Sequence, residues 1–168
     1  MPLRDTLARV DADLAAGRVP VARQRLRGLV SSFPNDLMLR RRLAEVYRLY
    51  GDPAEAGRWM YLEHDRDAAE SAAFEARYPT PAHRMRALAW QGSETGAPTP
   101  FAREQLTAVR VACSDVMGHD VDWDTVPAAG IPDSGGGSLP GCLAGAGCLV
   151  MILANLAIWV NGLIALFR

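Results

Sequence analysis

The chain has 168 residues, 49% hydrophobic and 22% charged, with a formal net charge of −1. That average conceals a gradient: Met1–Met60 holds eleven arginines against seven acids, Tyr61–Ser138 six against twelve, and beyond Ser138 the one charge is Arg168. Every basic residue is arginine, spread over many prospective helix faces among acids rather than set on one stripe between aromatics, which argues against a nucleic-acid partner.

The chain opens Met-Pro-Leu-Arg-Asp and carries charge through its first turns, so no secretory signal is expected at the front. A helical hairpin pattern follows at once. In Leu43-Ala44-x-x-Tyr47-x-x-x-Gly51-x-x-x-x-Ala56, the first three residues share a helix face. Gly51 ends that helix, Asp52-Pro53 opens the next, and Ala56 is small enough for the second helix to press on the first. Thirty-four residues earlier, Gly17 and Ala22 stand where Gly51 and Ala56 do, with Leu3 matching Leu37, Asp11 matching Glu45 and Leu26 matching Met60. Pro20 opens the second helix of this earlier unit, Pro34 closes it, and Asn35-Asp36 caps the next.

This spacing resembles the tetratricopeptide repeat, a helix–turn–helix unit of about thirty-four residues. The likeness runs from Pro2 to Glu63, and two departures qualify it: Asp13 stands where the second unit has Tyr47, and Ala68 where a closing proline would fall. The chain is also similar to short actinobacterial proteins of unknown function with a repeat-like front and an apolar end, a likeness that supplies no activity. The repeat resemblance implies a concave groove lined by the first helix of each unit, with Arg4, Asp11, Arg41, Glu45 and Arg48 facing it. Such a face would receive a protein or peptide partner, an acidic one in particular, through forked arginine hydrogen bonds. The alternative is a solvated face on which Glu45 pairs with Arg41 and Arg48 along the helix.

Two units leave apolar edges that need capping. Ala68–Tyr78 is predicted as one further helix, started by Asp65 or Asp67, and Ala82–Trp90 as another. Gln91–Pro100 reads as loop, and Phe101–Met117 resumes helix with Leu106, Val109 and Cys113 at helical spacing. An all-α domain of about six helices over residues 1–117 follows. Gly118–Gly141, with four aspartates, three prolines and a glycine triplet, reads as a flexible tether with a root-mean-square reach of ~25–30 Å.

Cys142–Phe167 is twenty-six residues without a charge, twenty-one of them apolar. As a helix it would extend ~39 Å against a ~30 Å hydrocarbon core, so it is predicted as one transmembrane helix, since lipid offers free backbone groups no partner. With no export signal ahead of it, the domain is expected on the cytoplasmic side of the cell membrane. Gly141, Gly145, Cys148, Asn155 and Gly162 share one face of that helix, together with Ile152, Trp159 and Leu166. Small residues and an asparagine on one face suit homo-oligomerisation or docking to another span.

Catalytic patterns are not found. His119 to Asp124 fails as a calcium loop, with Thr125 where glycine and Ile131 where glutamate would be required. Cys113, Cys142 and Cys148 lack metal-ligand spacing, His64 and His83 lack partners at ligand distance in sequence, and no phosphate loop or nucleophile elbow occurs. The expectation is therefore a non-enzymatic, membrane-anchored adaptor or scaffold without cofactor or metal, the alternative being a small integral subunit whose span assembles into a larger complex.

Overall fold

A computed structural model describes residues 3–125. The stretch predicted to span a membrane, the small-residue face expected on it and the expected tether from residue 126 onward lie outside the described residues. Among the described residues seven α-helices follow one another: α1 (Leu3–Ala15), α2 (Val19–Ser32), α3 (Leu37–Leu49), α4 (Pro53–Met60), α5 (Ala68–Arg77), α6 (Pro81–Leu88) and α7 (Pro100–Met117). Among the described residues there is no strand, and no helix is long and apolar enough to cross a membrane.

The helix boundaries follow from local chemistry. Asp36, Asp52, Asp67, Thr80 and Thr99 each accept a backbone N–H three residues on, satisfying a donor that the first turn leaves free. Prolines stand at the first turns of α2, α4, α6 and α7, where the missing N–H costs nothing. The thirty-four-residue register is kept in the backbone itself. α1 and α3 start at Leu3 and Leu37, and Gly17 and Gly51 follow them with φ of +70° and +67°. The closing bonds repeat as well, Arg18 N to Asp13 O at 2.8 Å and Asp52 N to Tyr47 O at 3.1 Å. The left-handed conformation at both turns is one that a Cβ disfavours.

The register then breaks. α4 has eight residues where α2 has fourteen, and Tyr61 and Leu62, directly after it, are buried in a second core. The first core joins α1–α4 through Val10, Leu26, Leu43, Tyr47 and Trp59. The second gathers Phe74, Met85, Leu88, Leu106 and Cys113. Gly57 marks the tightest approach: a Cβ there would lie 2.0 Å from the Glu70 carbonyl oxygen, so α4 and α5 touch backbone to backbone.

Two stretches read as irregular are built into the second core. The Gln91–Pro100 loop contains a 3-10 turn, Glu94–Gly96, and buries Ala97. Beyond α7 the chain turns back: Val121 and Trp123 are each 7% exposed, and Val121 N bonds to Ser114 Oγ at 3.0 Å. The packed domain therefore extends past Met117 to at least Trp123, because two apolar side chains among the aspartates suffice to draw the segment onto α7.

Candidate functional site

The polar faces of α1 and α3 carry the residues expected to line a groove. Arg4 is exposed in the first turn of α1, and Asp11 is exposed two turns further on. Asp11 accepts a charge-assisted hydrogen bond from Arg42, the residue after Arg41 on α3. Arg41 instead forks onto Asp65, with N–O distances of 2.7 and 2.8 Å, and reaches Glu63 at 3.1 Å. Arg48 forks onto Glu70 at 2.6 and 2.7 Å. Glu45 pairs with neither Arg41 nor Arg48; its nearest cation is Arg42, at 3.8 Å. The hydrogen bonds from Arg41 hold Asp65 below the ordinary carboxylate pKa, and the same donation to Asp65 and to Glu63 raises Arg41 in turn. Glu70 likewise raises Arg48.

This face is a ladder of internal ion pairs running from α1 through α3 to α5. The forks of Arg41 and Arg48 that would receive an incoming carboxylate already hold the chain's own. The alternative pairing along the helix, with Glu45 four residues from Arg41 and three from Arg48, is not the one these arginines form. The carboxylates that compete best lie more than twenty residues downstream and arrive only when α5 packs on α4.

A second polar cluster, not singled out by the sequence, lies where the hairpins meet α6. Arg40 is fully buried, donating from Nε to Pro34 O at 2.7 Å and from Nη2 to Leu88 O at 2.5 Å. Arg58 donates to Ala87 O at 2.5 Å and to Glu55 at 3.2 Å. Both guanidiniums lie against the Trp59 ring, 5.5 and 4.4 Å from its centroid. Together they cap the C-terminus of α6, whose final carbonyls lack helical donors and whose dipole presents negative charge. Burial first, and then the Arg58 charge, push the Arg40 pKa below the usual arginine range. Beside them Asn35 exchanges two hydrogen bonds with the Gln91 backbone, at 2.7 and 3.1 Å. One sequence signal could have found Arg40: it precedes Leu43 by three residues and Ala44 by four, which puts it on the buried stripe of α3.

The Asp13 departure has a structural account. Asp13 is 5% exposed and takes Arg18 and Arg25, each at 2.8 Å. Hydrogen bonds from Arg18 and Arg25, in that order, keep its pKa low. The first hairpin is thus clamped by an ion triad where the second uses a tyrosine. Among the described residues no group of three or more His, Cys, Asp or Glu could hold a metal ion. His64 packs edge-on against Phe101, Asp124 accepts from Gly92 N, and Cys113 is buried, which raises its thiol pKa. These side chains have packing and hydrogen-bonding assignments, and none of them forms a nucleophile–base pair with another.

One family model matches the chain over residues 1–168. The chain belongs to a family of unknown function, DUF6584. No curated protein and no solved structure matches it. The DUF6584 match takes in the helical domain and the uncharged stretch 142–167 together, so both are parts of the family's unit.

Proposed function

We propose that this DUF6584 chain is a membrane-anchored scaffold, in which a tetratricopeptide-like helical domain is held at the cytoplasmic face of a membrane by the uncharged stretch 142–167. The observation that carries the reading is that stretch: twenty-six residues without a charge, following a domain that has its own two cores. Burying some twenty apolar residues in hydrocarbon is strongly favourable, and water offers such a segment no comparable environment. The thirty-four-residue register of α1 to α4 supports the repeat assignment, and repeats of this kind present faces to protein partners. The function is binding rather than catalysis in this reading.

A second reading has an observation in its favour. Because Arg41 and Arg48 are already forked onto Asp65 and Glu70, an acidic peptide would have to displace those carboxylates. That favours a small integral subunit whose span, through Gly141, Gly145, Cys148, Asn155 and Gly162, carries the association. Affinity purification in mild detergent separates the two. A chain truncated before Gly135 that retains the partner recovered with the full chain supports the scaffold. Loss of all association on truncation, or on Asn155→Leu, transfers the function to the span.

A further inference from the structure

Three groups of large apolar side chains are exposed among the described residues, and their charged surroundings differ. Phe33 and Met38, each 49% exposed, sit at the α2–α3 turn beside Asp36 and Asn35. Val111, Val116 and Met117 lie on α7 with the exposed acids Asp115, Asp120 and Asp122 around its C-terminus. The third group is at the opposite end of the hairpins, where Gly17 and Gly51 make their turns. Leu49 is 68% exposed, Tyr50 41% and Val21 39%. Arg23 joins the two turns, its guanidinium 4.7 Å over the Tyr50 ring.

At this third group the arginines outnumber the carboxylates that pair with them. Asp13 is one carboxylate shared by two arginines, Arg18 and Arg25. Arg23 meets an aromatic face rather than an acid. The acid of the α3–α4 turn, Asp52, is neutralised by Arg77 at 3.1 Å, and Glu45, one turn before Leu49, lies by Arg42. An exposed leucine, a tyrosine and arginines in excess of acid at one end of the hairpins form the combination that sits at a headgroup boundary. The apolar groups enter the acyl edge, tyrosine rests at the interface and arginine meets phosphate.

We infer that the Gly17–Gly51 end of the domain lies on an anionic bilayer surface, with Leu49, Tyr50 and Val21 at headgroup depth and Arg18 and Arg23 on lipid phosphates. This rests on the anchoring role of residues 142–167. Chain length permits it: residues 126–141 can extend to ~50 Å. A domain of this size has a radius of gyration of ~14 Å, so any of its faces can reach the bilayer. Charge then selects the face, and tethering raises the local concentration enough for a weak contact to persist.

The test uses the full chain reconstituted into vesicles, with Cys113, Cys142 and Cys148 replaced by alanine and one new cysteine, Leu49→Cys, carrying an environment-sensitive fluorophore. In vesicles containing phosphatidylglycerol, headgroup-level spin-labelled lipid quenches the label at position 49. It leaves a label placed by Phe33→Cys bright, and the quench at 49 fades at high salt. Adding Arg23→Gln lowers the contact population about fivefold, the weight of one basic residue near an anionic surface. A chain that floats with the vesicles but shows equal quenching at 49 and 33, or the same quenching in purely zwitterionic vesicles, overturns the docking while leaving the anchor standing. Cross-linking from position 49 to a protein instead of lipid overturns it likewise. A chain that does not float with vesicles at all removes the anchor and the docking with it.

Discussion

Gly57→Ala should destabilise the domain although it improves the intrinsic helix propensity of α4. In isolation the exchange stabilises a helix interior by about 1 kcal/mol. Here the new methyl would lie 2.0 Å from Glu70 O and 2.4 Å from Glu70 C, where real contacts do not fall below 3.0 Å, so α5 must retreat by about 1 Å. That retreat strains the Arg48–Glu70 fork and the packing of Phe74, fully buried between the Tyr61 and Tyr78 rings. Overpacking of this kind costs ~1–3 kcal/mol and more when backbone is the obstacle, and the clash lies at the severe end. A net loss of about 2 kcal/mol is expected, which lowers the Tm by roughly 8 °C for a domain of this size. The control is Gly28→Ala, on α2, where a Cβ meets nothing within 4 Å; it should raise stability by up to about 1 kcal/mol. Thermal melts of the full chain in mild detergent, followed by far-ultraviolet circular dichroism, compare the two. Equal stabilisation by both substitutions would refute the close α4–α5 approach.

Acid lability should be traceable to Asp13. Its folded pKa lies below the ordinary 3.8, so its ion triad contributes fully above that value and is lost as pH falls through the lower, folded one. Asp13→Asn should therefore lower stability at pH 7 and flatten the decline below about pH 4 in denaturant titrations. Trp123→Ala should cost about 3 kcal/mol, and truncation after Met117 should destabilise the domain where truncation after Thr125 does not, as read from urea midpoints. Ala89→Gly should stabilise by about 1 kcal/mol, because Ala89 has φ of 48° at the end of α6, a conformation glycine adopts without penalty; a melt that falls instead would contradict that backbone.

Much of the helical order was legible because it rests on local chemistry. Asp36, Asp52 and Asp67 cap where their position before apolar runs indicates, and Gly17 and Gly51 turn the chain thirty-four residues apart. What was not legible depends on which segments meet. Nothing within ten residues of Arg41 or Arg48 announces Asp65 or Glu70, and nothing near Arg40 announces the α6 carbonyls it caps. Trp123 falls in the stretch read as tether, yet it is 7% exposed in the second core, a burial its aspartate neighbours do not announce. Arginine is hard to place for the same reason. Its stem packs like an apolar side chain, while its head finds an acid, a carbonyl or a ring wherever the fold supplies one.

The most direct measurement concerns residues 142–167. Cells expressing the full chain are lysed without detergent, and the membranes are pelleted and washed with high salt and then with alkaline carbonate. The protein should stay in the pellet through both washes, leave it only with detergent, and become soluble when the chain is cut before Gly135. Recovery of the intact chain in the first supernatant, or its release by carbonate, would contradict the anchor and leave a helical domain with no claim to a membrane.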